Sequence, residues 1–97
     1  MLANMKQALA LTTGTRKAVV LVAADRLGSR DLGGIMMHEF GHALGAGHDP
    51  GGKLMHPYYT GNKQRCIDEG AVRAVAAAQR LPLEGLNWCG GEQAHRN

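Results

Sequence analysis

Aromatic side chains are nearly missing from this sequence: Phe40, Tyr58, Tyr59 and Trp88 are the whole set, 4% of 97 residues. Glycine contributes 14 residues and alanine fills much of the apolar share, so the core must be thin. A chain this short makes one domain at most, near the size where burial only just outweighs chain entropy, and added staples should matter. Long apolar runs are lacking too. The longest, Ala18 to Ala24, falls far short of the ~20 residues a membrane-spanning helix needs, which excludes such a helix and gives no reason to expect a membrane partner. Met1 to Leu11 carries Lys6 but no continuous apolar stretch, so it makes a poor secretory leader and none is evident. Charge of one sign is also missing: the net charge is +3, and the Lys and Arg residues are scattered without forming a stripe. The electrostatic footprint of a nucleic-acid partner is therefore absent.

Neither cysteine belongs to a CxxC pair, which removes the usual signature of a structural zinc site or redox motif. Cys66 and Cys89 instead flank a helix-like segment, and a disulfide is their simplest use. In an oxidising compartment that bond would close a loop of about two dozen residues and contribute roughly 3 kcal/mol. The alternative is two reduced thiols buried as small hydrophobes.

Leu2, Met5 and Leu9 recur at helical spacing, so Met1 to Leu11 is expected to form an amphipathic helix ending near Thr12 to Gly14. Lys17 to Ala24, with Val19, Val20 and Val22, is the one clear strand, buried on both faces or at least beneath a helix. Asp31 can cap a helix from about Leu32 through Leu44, with Ile35, Met36, Phe40, Ala43 and Leu44 facing a core and Gly45 and Gly47 ending it. His48 to Lys63 is dense in Gly, Pro, Asp and Asn and is expected to be an ordered loop. Asp68 can cap a last helix through Val72, Val75, Ala76 and Gln79, which stops at Leu81 and Pro82.

Residues 38 to 48 read His-Glu-Phe-Gly-His-Ala-Leu-Gly-Ala-Gly-His. Helical residues four apart are separated by about 400° of rotation and about 6 Å of rise, so His38 and His42 project from one face and can reach one ion. Glu39 lies about 100° around from His38, beside the metal without being forced to bind it. The helix cannot supply a third ligand along its own axis, so the chain must turn back. Gly45 provides that turn, since glycine adopts positive φ without steric cost, and His48 can then complete the site. Three protein ligands leave the fourth position of a tetrahedral zinc open, the arrangement of a catalytic site. With this chain's own His, Glu and Gly content, the five fixed positions would coincide by chance on the order of once in ten thousand. A helix with merely satisfied core histidines would have to bury three of them plus an acid.

This pattern, followed by Leu54-Met55-His56-Pro57-Tyr58-Tyr59, resembles the metzincin zinc peptidases, in which three histidines and a glycine precede a Met-turn. The run Met55, Pro57, Tyr59 is similar to the matrixin branch, while Asp49 after the third histidine is a variation among metzincin branches. The resemblance implies an α+β fold: a minimal metzincin-like domain with a zinc-bearing central helix, one clear strand in a small sheet, a Met-turn loop and a C-terminal helix. Residues 1–97 would form a single truncated catalytic domain. It implies a zinc-dependent endopeptidase acting on polypeptides, with Zn2+ on His38, His42 and His48, Glu39 as the general base, and Met55 as a floor under the metal. Pro57, Tyr58 and Tyr59 would supply the wall of the pocket that takes the side chain after the scissile bond, or a hydroxyl for the oxyanion. His56 can touch substrate or simply face solvent. The family habit and the cysteine pair together imply a secreted or extracytoplasmic protein.

No serine or cysteine is set beside a spare base, which argues against nucleophilic catalysis. Two other readings stay open. One is a promiscuous zinc hydrolase of activated esters, phosphoesters or β-lactams; the other is a zinc-binding remnant with little catalysis. A lone strand at 17–24 would leave ladder groups unpaired, so a homodimer through that strand is expected.

Overall fold

The β-branched run does form a strand, but it is not alone. In the computed structural model, which describes residues 1–4, 7–14, 17–61 and 66–90, the chain order is β1 (Leu2–Asn4), β2 (Gln7–Ala8), β3 (Ala10–Thr13), β4 (Val19–Val22), α1 (Ala24–Leu27), α2 (Leu32–Ala43) and α3 (Glu69–Gln79). Met5, Lys6 and Lys63, which fall in the expected first helix and the expected loop, lie outside the described residues. The fold is a small α+β arrangement with two antiparallel two-stranded sheets, β1–β2 and β3–β4.

The expected helix over Met1 to Leu11 is replaced by β1, β2 and the start of β3. Leu2 and Leu9 suit a helical stripe, yet pairing decides otherwise. Ala10, Leu11, Thr12 and Thr13 lie opposite Val22, Leu21, Val20 and Val19, and the ladder gives these backbone groups partners that a short isolated helix could not hold as well. Alternation then matters. Ala10 is buried and Thr12 half-buried, whereas Leu11 and Thr13 point to solvent, so one face of β3 lies against α2. Val19 and Leu21 of β4 are likewise exposed while Val22 packs inward, so this strand is covered on one face only.

α2 begins at the expected place, although the Asp31 side chain makes no capping bond; its carbonyl accepts from Ile35 N–H at 3.1 Å. At the other end, Gly45 N–H donates to His42 O and Ala46 N–H to Gly41 O, both at 2.9 Å, with Gly45 at φ 104°. These two bonds close the helix as a Schellman turn, which needs that left-handed residue. α3 begins after Asp68 and ends with Arg80 in the left-handed region, Leu81 N–H returning to Ala76 O at 2.8 Å.

α2 is central because its two sides feed two small clusters. Ile35 packs with Leu9 and Ala10, bordered by Val22, Leu27 and Tyr59. On the other side Met37 meets Ala46, Leu54, Met55 and Ala71, bordered by Val75 of α3. Cys66 and Cys89 are joined in a disulfide, and Cys89 N–H donates to Ile67 O at 2.8 Å, so the start of α3 is tied to the segment carrying the buried Trp88. No helix among the described residues is long and apolar enough to cross a membrane.

Candidate active site

One helix turn and one glycine turn bring three imidazoles together. His38 and His42 stand on the same face of α2, and the Gly45 turn returns the chain so that one ligand atom from each of His38, His42 and His48 lies within 4.8 Å of the others. The ring centroids of His38 and His42 are 4.6 Å apart, and those of His42 and His48 are 4.7 Å apart. His38 is fully buried and His48 exposed, so the cluster opens to solvent on the His48 side.

The outer ring nitrogens are already committed. His38 Nδ1 lies 2.6 Å from the Leu54 carbonyl, and His42 Nδ1 lies 2.9 Å from the Ala46 carbonyl. A carbonyl can only accept, so each Nδ1 carries the proton and donates it. Both Nε2 atoms are then bare acceptors, yet they face one another at 3.0 Å. Two lone pairs at that distance, one on a fully buried ring, call for a cation between them. Imidazole nitrogens suit zinc, whereas calcium and magnesium prefer oxygen ligands, so the donor set fits Zn2+. Burial pushes the His38 imidazole down to about 4, although the Leu54 carbonyl pulls the other way, and burial also lowers His48. Neutral rings are the form that binds metal.

Glu39 is fully buried beside this cluster. Its Oε2 lies 3.9 Å from His38 Nε2 and accepts a 2.8 Å hydrogen bond from the Met1 ammonium. Oε1 accepts from the Thr12 hydroxyl at 2.7 Å. Burial alone would raise the Glu39 pKa, but the hydrogen bonds from the Met1 ammonium and Thr12 outweigh it and hold the carboxyl below its ordinary value. A cleft of about 550 Å³ runs past Glu39, His42 and His48, walled by Leu2, Ala10, Leu11 and Thr12.

Met55 lies buried against α2, next to Gly41. A Cβ on Gly41 would fall 2.6 Å from Met55 Sδ, so only glycine at that position lets the methionine come this close. Sequence reasoning read the histidines and Gly45 but passed over Gly41, although a glycine inside an otherwise apolar helix is the signal for close approach. Asp49 closes the loop between His48 and Met55: its N–H donates to Met55 O at 2.8 Å, and its Oδ1 accepts from Gly51 N–H at 3.2 Å.

The segment after Met55 pairs with β1, with Leu2 N–H donating to Pro57 O and Tyr59 N–H to Leu2 O, both at 2.8 Å. The Tyr59 hydroxyl accepts from Asp31 N–H at 2.9 Å at the start of α2, while Tyr58 N–H donates to His56 Nδ1 at 3.1 Å. Pro57, Tyr58 and Tyr59 are therefore not among the residues that wall the cleft.

The matrixin family profile matches residues 14–78 of the 97, a span that holds α2, all three histidines and Met55. The chain belongs to the matrixin family. No curated protein and no solved structure gives a match. This matrixin carries the His triad of its family on α2 and the turn after it, and β1, β2 and β3 lie ahead of the matched span. Matrixins are zinc metalloendopeptidases and typically secreted, and the Cys66–Cys89 disulfide accords with such a compartment.

Proposed function

We propose that this chain is a zinc-dependent endopeptidase, with His38, His42 and His48 as the zinc ligands and Glu39 as the general base. The observation that carries the reading is the pair of proton-free Nε2 atoms on His38 and His42, 3.0 Å apart, with Glu39 Oε2 3.9 Å from the former. When bound, zinc supplies a Lewis acid for the scissile carbonyl and lowers the pKa of water. Glu39, ionised across the neutral range, takes a proton from the attacking water and returns it to the leaving nitrogen. Leu54 and Ala46 fix the tautomers of the two helix histidines, and Met55 is a floor with no ligand role.

A polypeptide with apolar side chains suits the walls that Leu2, Ala10 and Leu11 provide. Pro57, Tyr58 and Tyr59 stand outside the lining of this cleft, and the pocket-wall role is assigned to them from the matrixin resemblance alone. The Tyr59 hydroxyl accepts from Asp31 N–H and keeps its own proton, so Tyr58 and Tyr59 both stay candidates for a hydroxyl on the oxyanion. The catalytic domain is a single unit spanning residues 1–97, and secretion is the location we infer. Residues of one chain supply the whole site. The dimer expected through 17–24 keeps only part of its argument, because β3 already pairs along one edge of β4.

The exposed His48 also favours small activated esters, phosphoesters or β-lactams as a second substrate class, since the metal cluster opens to solvent there. A quenched peptide library and an activated-ester panel, each run on zinc-loaded protein with and without chelator, separate the readings. Chelator-sensitive peptide cleavage is expected. Ester turnover alone would favour the promiscuous hydrolase, and neither activity at full zinc occupancy would leave a metal-binding remnant.

A further inference from the structure

Thr12 stands on the face of β3 that meets α2, and its hydroxyl touches Glu39 twice. Oγ1 lies 2.7 Å from Glu39 Oε1 and 3.0 Å from the Glu39 backbone carbonyl. A threonine has one hydroxyl proton and two acceptor lone pairs, whereas an ionised carboxylate and a carbonyl can only accept. The proton therefore stays between two acceptors of the same residue, and the shorter distance assigns it mainly to the carboxylate. A bond from hydroxyl to carboxylate is charge-assisted and among the stronger kinds.

The two oxygens of Glu39 are thereby made unequal. Oε1 is fixed on β3, and Oε2 is turned toward His38 Nε2 at 3.9 Å, where it accepts a proton donor from the cleft side, as its bond to the Met1 ammonium illustrates. We propose that Thr12 is the positioning residue for Glu39, holding Oε1 so that Oε2 faces the metal-ligand cluster and the attacking water. This deepens the endopeptidase reading and rests on it for its catalytic consequence, though not for the contact itself. The sheet makes the device rigid. Thr12 is paired with Val20 in the β3–β4 ladder, and a β-branched side chain on a strand has few rotamers to choose from. A carboxylate free to swing would spend part of its time with neither oxygen near the water, and general-base catalysis needs that oxygen within hydrogen-bond reach.

The test compares Thr12→Val, which keeps the shape and loses the hydroxyl, with Thr12→Ser, which keeps the hydroxyl. With zinc content equal, Thr12→Val is expected to lower kcat by about 10- to 100-fold with KM little changed, and Thr12→Ser to restore most of it. A second readout needs no turnover: the Glu39 side-chain carboxyl ¹³C signal of metal-free protein, assigned through Glu39→Gln, should shift in Thr12→Val and stay near its original position in Thr12→Ser. In the unmutated protein the Thr12 hydroxyl proton should exchange slowly enough to give its own ¹H signal, which decides the contact even if Thr12→Val does not fold. An unmoved carboxyl signal in folded Thr12→Val, or a missing hydroxyl signal, would overturn the contact. Undiminished kcat in Thr12→Val would overturn the positioning role. If unmutated zinc-loaded protein cleaves no peptide, the endopeptidase reading falls while the carboxyl signal still decides whether Thr12 holds Glu39.

Discussion

The Leu54 carbonyl accepts the Nδ1 proton of His38 at 2.6 Å, and on the same residue the Leu54 N–H donates to Asp68 Oδ1 at 2.9 Å. Leu54 thus links a metal ligand on α2 to the residue that opens α3. Asp68 makes no capping bond to its own helix, so its side chain serves the Met-turn instead.

Asp68→Ala should therefore act at the metal. Removing the acceptor leaves Leu54 N–H unpaired at a cost of about 1–3 kcal/mol and loosens the carbonyl that fixes the His38 tautomer. Zinc affinity is expected to fall about 10- to 100-fold in a competitive chelator titration. An affinity equal to that of the unmutated protein would show that the Leu54 link does not matter to the ligand.

Two glycines of α2 should respond to alanine with opposite signs. At Gly41 the new Cβ meets the buried Met55 Sδ at 2.6 Å, so Gly41→Ala is expected to destabilise by about 1–3 kcal/mol. At exposed Gly33 its nearest neighbour is Asp31 Oδ1 at 3.4 Å, and Gly33→Ala should stabilise by about 0.4–1 kcal/mol through helix propensity and a less flexible unfolded chain. Urea denaturation of both variants checks this. A neutral Gly41→Ala would mean that Met55 moves aside freely.

The zinc helix was legible in the sequence because its chemistry is local: His38 and His42 are set by helical rise and twist, and the return of His48 by Gly45. Asp31 and Asp68 marked the starts of α2 and α3 correctly, although their side chains turned out not to cap. The first strands were not legible. Leu2 and Leu9 fit a helical stripe as well as a strand, and what decides for β3 is pairing with β4, which no local pattern encodes. Thr12 was missed for the same reason. Its role exists only once β3 is laid over α2.

Acid should unfold the metal-free protein, and the sign follows from His38. Its pKa is 6.5 unfolded and lowered to about 4 by burial in the fold, so between those values the unfolded chain binds more protons. The stability present above pH 6.5 is therefore lost as pH falls toward 4, by up to about 3 kcal/mol from this group. His48 and Glu39, both lowered in the fold, act in the same direction. Urea midpoints measured with chelator should drop over this window in the unmutated protein and drop less in His38→Gln. Equal slopes would remove His38 as the source.

The role proposed for Glu39 is to act on water beside the metal rather than to hold the metal. The most direct measurement is zinc content and peptide turnover on the same samples of unmutated protein and Glu39→Gln. Equal zinc in both and a kcat lower by at least about 100-fold in Glu39→Gln are expected. Turnover within a few-fold of the unmutated protein, at equal zinc, would contradict it.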